Sequence, residues 1–154
     1  MNRLRLRLAS MLTVAITFVL FAGLARVNGA VIFVKADADG NNDGTSWENA
    51  FTDLQDALAA SEGGDQIWVA TATYNPDGPG GDRTATFQLI SGVGLYGGFA
   101  GGETELDERD PDLNVTILSG DLNGDDRLDF ANNEENSYHV VTGSDTGGSA
   151  SRRV

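Results

Sequence analysis

Beyond Asp65 the chain offers apolar segments of only four or five residues, each closed by Gly, Asp, Asn or Ser. Gln66–Ala70 (QIWVA), Thr86–Ile90 (TFQLI), Val93–Tyr96 (VGLY), Val115–Leu118 (VTIL) and Tyr138–Thr142 (YHVVT) are β-branched or aromatic and read as short strands. Upstream, Val31–Ala36 (VIFVKA) reads the same way. No helical pattern separates the later segments, which argues against a doubly wound α/β sheet. Their spacing is irregular, with long loops at Asn75–Arg83 and Gly101–Asn114, which argues against a simple meander of hairpins. Strands stacked as coils of a solenoid fit this pattern better, although spacing alone does not separate a solenoid from a small sandwich.

One stretch has helical periodicity. Trp47, Ala50, Phe51, Leu54, Ala57 and Leu58 recur at three- and four-residue steps, while Glu48, Asp53 and Asp56 lie on the opposite side. Thr45 and Glu48 have the spacing of a capping box, and Gly63 and Gly64 end the run. The pattern predicts an amphipathic helix over about residues 46–60 that buries one stripe.

Residues 1–30 read as a secretory signal peptide. Arg3, Arg5 and Arg7 precede the apolar run Leu8–Leu24, and small residues follow at Gly29 and Ala30. Cleavage after Gly29, with Val27 at −3, and cleavage after Ala30 both fit. A retained membrane anchor is the weaker reading, because the run is near the lower limit for crossing a bilayer. Removing the leader takes four of the ten basic residues and none of the 23 acidic ones, so six remain and the charge becomes −17. Such a charge repels nucleic acid and anionic lipid and attracts cations. There is no cysteine, so an exported chain of this kind relies on its core or on a metal rather than on disulfides.

Five segments then occur in a telling order: GTSWENAFTDLQDALAA (Gly44–Ala60), GDQIWVATATYNP (Gly64–Pro76), FQLISGVGLYGGFAGGETELDERD (Phe87–Asp110), NVTILSGDLNGDD (Asn114–Asp126) and NSYHVV (Asn136–Val141). Together they resemble the N-terminal part of secreted right-handed parallel β-helix proteins of the pectin-lyase-like superfamily. Polymorphic outer-membrane and adhesin-like proteins share that architecture. The resemblance covers essentially everything from Val31 to Val141, so residues 31–142 read as one β-helix N-terminal module. It implies an all-β fold, the first few coils of a right-handed parallel β-helix, with an N-terminal amphipathic capping α-helix. It also implies secretion or display at the cell surface, and a structural or adhesive role with extracellular polysaccharide or other cell-surface components as partners. In such proteins many more coils follow YHVV, whereas here residues 143–154 read as a flexible polar tail. The chain therefore resembles a truncated N-terminal module.

Two acidic loops are candidate calcium sites. In Asp37–Glu48 the acids fall at EF-hand positions, but Asn42 replaces the glycine of position 6 and Gly44 the aliphatic residue of position 8. Thr45 and Glu48 are already assigned to the helix cap, so this loop reads as a structural turn. Asp121–Asn132 (DLNGDDRLDFAN) is the better candidate. Asp121, Asn123, Asp125 and Asp129 match positions 1, 3, 5 and 9, Arg127 offers a carbonyl at 7, and Leu128 fills position 8. Asp126 stands where the glycine belongs and Asn132 where a bidentate acid belongs. Glu134 or Glu135 replaces it only in a longer loop. These departures leave the balance slightly towards a solvated acidic insertion, with calcium as the alternative ion-binding reading.

Catalysis has less support. A calcium-dependent pectate-lyase-like polysaccharide lyase, the alternative to a non-catalytic module, needs clustered carboxylates and an Arg or Lys base on neighbouring parallel strands. Lys35, Arg83, Arg109 and Arg127 form no such array in the sequence, and Arg109 in DERD reads as a loop ion-pair residue. His139 is the sole histidine, beside Val140 and Val141, and reads as a strand-face residue. Trp68, Tyr74, Tyr96 and Phe99 suggest either a sugar-stacking ledge or core packing, with packing favoured. The glycines of GVGLYGGFAGG lack the lysine and helix of a phosphate loop.

Overall fold

The computed structural model describes residues 29–143 of the 154-residue chain. The leader reading (apart from Gly29 and Ala30) and the tail reading (apart from Gly143) lie outside these residues. Seven short strands and one short helix alternate with long loops. They are β1 (Val31–Val34), α1 (Leu54–Ala60), β2 (Gln66–Ala70), β3 (Ala72–Tyr74), β4 (Phe87–Gln88), β5 (Gly94–Phe99), β6 (Thr116–Leu118) and β7 (Val141–Thr142). Every strand pairing is parallel: β1–β2–β5 form one sheet, β3–β6 a second and β4–β7 a third.

This arrangement corrects the expected fold class. The described residues form three separate small parallel sheets of two or three strands, with a seven-residue helix, and no closed right-handed parallel β-helix. The physical reason is strand length. The third sheet pairs only Phe87 with Val141 and Gln88 with Thr142, while residues 100–115 and 119–140 are spent in loops between strands. Strands this short do not run on into continuous sheets.

The helix is also shorter than the predicted 46–60. Asp53 is its N-cap, accepting from Gln55 N at 2.8 Å. The expected cap does not form, because the hydroxyl and amide of Thr45 both donate to Asp43 Oδ1, at 2.6 and 3.0 Å. Residues upstream of Asp53 serve β1 instead. Phe51 N donates to Phe33 O, Lys35 N to Phe51 O, and Phe33 N to Gly44 O, so this segment covers the outer edge of β1.

Two apolar layers sandwich the first sheet. Ile32, Val34, Ile67 and Val69 point inward to meet Leu54, Ala57 and Leu58 of α1, with Tyr74 and Phe87. The alternate residues Phe33 and Trp68 are in register across β1 and β2 and point the other way. There they meet Trp47 and Phe99. Phe99 stacks on Trp68 with centroids 4.8 Å apart and planes at 9°, and lies 5.5 Å from Trp47. Phe33 meets Trp47 edge-on at 4.8 Å. The period read as one helical stripe thus splits: Leu54, Ala57 and Leu58 join the aliphatic core, and Trp47 the aromatic one.

A bulge makes this second layer. Trp68 pairs with Tyr96, but Ala70 pairs with Phe99, so β5 carries one residue more than β2 over that interval. Gly98 takes up the distortion at φ +95, and a Cβ there would lie 2.9 Å from the nitrogen and Cγ of Pro111. The Gly97–Gly98 pair is therefore a structural requirement for placing Phe99 over Trp68.

Candidate metal centre

The loop from β6 to β7 is held at both ends. Asn75 Nδ2 donates to the Asp121 carbonyl, Asp121 N donates to Ser119 Oγ at 3.2 Å, and Leu122 is buried. On the returning limb, Ser137 N donates to Gly120 O at 2.8 Å and Arg83 Nε to Asn136 O at 2.8 Å. Arg83 also covers the Tyr138 ring, 4.6 Å from its centroid. These ties bring residues 135–137 alongside residues 120–126.

Asp121 organises the turn between them. Its Oδ1 accepts from Gly124 N at 2.7 Å and Asp125 N at 3.1 Å, and its Oδ2 from Asp126 N at 3.0 Å. Gly124 supplies the left-handed backbone, at φ +70. The N–H of Asp126 holds the Asp121 carboxyl below the usual carboxylate range, against the effect of desolvation, and Asp125, Gly124 and Glu135 add to it. Asn136 Nδ2 donates to Asp126 Oδ2 at 2.8 Å.

The outcome is a carboxylate group. One ligand atom each from Asp121, Asp125 and Glu135 lies within 4.8 Å of the others. Glu135 Oε1 is buried with no hydrogen-bond partner, as are the neighbouring Asn136 Oδ1 and Ser137 Oγ. With all three ionised these carboxyl groups repel one another; short of that, Glu135 shares a proton with Asp121, and the buried Glu135 Oε1 without a donor carries a desolvation cost. A hard cation with oxygen ligands would remove both penalties.

Of the acids read from the sequence, Asp121 and Asp125 come together and Asp129 does not. Asn123 accepts from Gly80 N at 3.2 Å through its Oδ1. Arg127 leads into a 3-10 turn at Leu128–Phe130, and its N–H donates to Ala131 O. Asp129 is exposed and lies outside the group, in the left-handed region at φ 69. The third member is Glu135, fourteen residues after Asp121, so the loop is longer than the twelve-residue template. The sequence offered it, with Glu134, as the replacement acid of a longer loop, and the structure selects Glu135.

The other candidates resolve differently. In Asp37–Glu48 two of the four acids are engaged locally, Asp37 with Lys35 at 3.0 Å and Asp43 with Thr45, and Asn42 accepts from Thr52 N at 2.8 Å. Trp68, Tyr74 and Phe99 are buried, so they form no sugar-stacking ledge. Tyr74 donates to Ala70 O, and burial pushes its phenol up to about 12. Among the described residues Arg109 makes no ion pair: it covers the Tyr96 ring at 5.7 Å and donates to Gly97 O at 3.2 Å. His139 is exposed beside β7. The glycine-rich AGGE segment does cradle an anion, but its own. Ala100, Gly101 and Gly102 donate to the Glu103 carboxylate at 2.6, 2.9 and 2.9 Å. Partial burial alone would raise Glu103; these N–H groups outweigh it and hold the carboxyl below its usual range.

Comparison with family models, with curated proteins and with solved structures finds no match to this chain. The resemblance drawn from the sequence motifs therefore stands without independent support, and a functional reading rests on the site.

Proposed function

We propose that this chain is an exported, non-catalytic structural or adhesive module of a secreted or cell-surface protein, and that its loop 119–137 is organised by a divalent cation. The observation that carries the reading is the Asp121–Asp125–Glu135 group, with Glu135 Oε1 buried and without a donor. Calcium is the ion of choice, because an all-oxygen set on an irregular loop suits its flexible coordination better than the strict octahedron of magnesium. Extracellular polysaccharide or other cell-surface components are the proposed partners, since the acidic balance disfavours nucleic acid and anionic membrane.

Two observations support the non-catalytic part. None of the seven strands carries Asp, Glu, Lys or Arg, so no acid–base pair sits on adjacent strands of one face. Lys35, Arg83 and Arg109 are each engaged in local structural contacts. The test is calorimetric titration with calcium and magnesium. One calcium should bind, with a dissociation constant on the order of 10⁻⁴–10⁻³ M, as in extracellular modules. Glu135→Gln should weaken it by tenfold or more. No heat with millimolar calcium refutes the metal reading. A calcium-dependent rise in ultraviolet absorbance on polygalacturonate refutes the non-catalytic one.

A further inference from the structure

Among the described residues, Ala30 is where the chain joins the hydrogen bonding of the first sheet. Its N–H donates to Asp65 Oδ1 at 2.7 Å, and its carbonyl accepts from Gln66 N at 2.8 Å, just ahead of the β1–β2 ladder. Asp65 is a buried acid, 7% exposed, and its other oxygen accepts from Glu62 N at 2.9 Å. Gly29, one residue earlier, is exposed. Both bonds that could end a leader flank this residue, Gly29–Ala30 and Ala30–Val31.

We propose that the leader is removed between Gly29 and Ala30, and that the new α-ammonium group of Ala30 forms an ion pair with the buried Asp65 carboxylate. This rests on the reading of the chain as exported. The reaction is a hydrolysis by an endopeptidase of the signal-peptidase class. Water adds across the Gly29–Ala30 amide, its oxygen becoming part of the Gly29 carboxylate and its hydrogens leaving Ala30 as an amine, protonated at neutral pH. A neutral amide N–H facing Asp65 thereby becomes a cationic donor at the same atom, and a charge-assisted hydrogen bond is roughly twice as strong as a neutral one. Cutting one residue later has the opposite effect. It removes both the donor to Asp65 and the acceptor of Gln66 N. The residues around the bond agree, since Gly29 at −1 and Val27 at −3 leave no polar side chain at either position, whereas the later cut puts Asn28 at −3.

The experiment uses the full chain secreted with its leader and purified folded. Intact mass and N-terminal sequencing should place the first residue at Ala30. The α-amine is then acetylated with a water-soluble succinimidyl ester at pH 7, with Lys35, the one lysine, as internal standard. Its rate should be at least tenfold below that of a form carrying Gly-Ser ahead of Ala30, whose amine is held away from Asp65. Asp65→Asn should abolish most of that protection; if this variant does not fold, the comparison with the extended form decides. An N-terminus at Val31 or at any other residue overturns the proposal. So does labelling as fast as in the extended form. A leader that stays attached overturns the exported reading as well, whereas a cut at a different bond overturns only this inference.

Discussion

Replacing Phe99 by alanine is the sharpest test of the two-layer arrangement. Phe99 has no exposed surface and contacts both tryptophans of the chain, stacked on Trp68 at 4.8 Å and tilted over Trp47 at 5.5 Å. Emptying a fully buried Phe site costs about 3–5 kcal/mol, and the upper half of that range applies where the surroundings cannot collapse. Here Trp68 is fixed in β2 by its ladder, and Trp47 is tied by its indole N–H to Glu103 O at 2.8 Å. We therefore take about 4 kcal/mol for Phe99→Ala. A domain of this size has roughly 6–15 kcal/mol to lose, so the variant should fold but be severely weakened. With a urea slope of about 1.5–2 kcal/mol/M, the midpoint should fall by about 2–3 M. Phe99→Leu, which fills most of the space, should cost only about 1–1.5 kcal/mol. Urea titration followed by tryptophan fluorescence is the direct assay, because both reporters sit on the altered ring, and the native emission itself should shift. A loss below about 1 kcal/mol in the alanine variant, with unchanged native emission, would refute the claim that this outer cluster is a second core.

Three further outcomes are expected. Gly98→Ala should cost about 1–3 kcal/mol, since φ +95 is unfavourable for an L side chain and the new Cβ meets Pro111; thermal denaturation against Gly102→Ala, where the space is open, checks it. Asp53→Ala should cost about 1 kcal/mol through loss of the α1 N-cap, and Asp53→Asn much less, both readable by the same melting assay. Acid should unfold the protein through its hydrogen-bonded carboxylates. Glu103, Glu108 and Asp121 have folded-state values below their ordinary ones, so their contribution is complete above the ordinary carboxylate range and is lost as pH falls through the depressed values. Circular dichroism from pH 7 to pH 2 should therefore show stability held down to about pH 5 and falling below pH 4. A flat profile down to pH 2 counts against these contacts.

Local chemistry was legible in the sequence where one residue type settles the matter. Gln66–Ala70 is a strand with the predicted limits, and β6 differs from its prediction by one residue. The other strands shrink or shift, because their ends are set by partners 28 or more residues away rather than by propensity. Ala72–Tyr74 went unread as a strand; three residues next to β2 show no periodicity of their own. The helix start was misplaced because Trp47 and Phe51 are apolar for other reasons, one joining the outer cluster and the other bridging Val34. In the carboxylate group of the loop 119–137, Asp121 and Asp125 were read from their spacing. Glu135 was read only as one of two substitutes in a longer loop, since the folding back of residues 135–137 against Gly120, which sets its place, is not written in the spacing. The EF-hand template is shorter than the fourteen-residue separation of Asp121 and Glu135, and of its acids Asp129 lies outside the carboxylate group.

Every strand among the described residues waits for a distant one. Val31 pairs with Gln66, Gln66 with Gly94, Ala72 with Thr116 and Phe87 with Val141, so no ladder can form within a local hairpin. Loop closure comes before any pairing reward, which places folding in the slow, non-local regime of milliseconds to seconds. The order of completion also follows the chain: the first sheet has all its strands once residue 99 is available, whereas the third needs Val141. During synthesis or passage through a membrane pore, a chain threaded amino end first would therefore carry a finished first sheet and an unpaired β4. That interval, rather than the finished fold, is when a second unfinished chain could pair with the exposed strand.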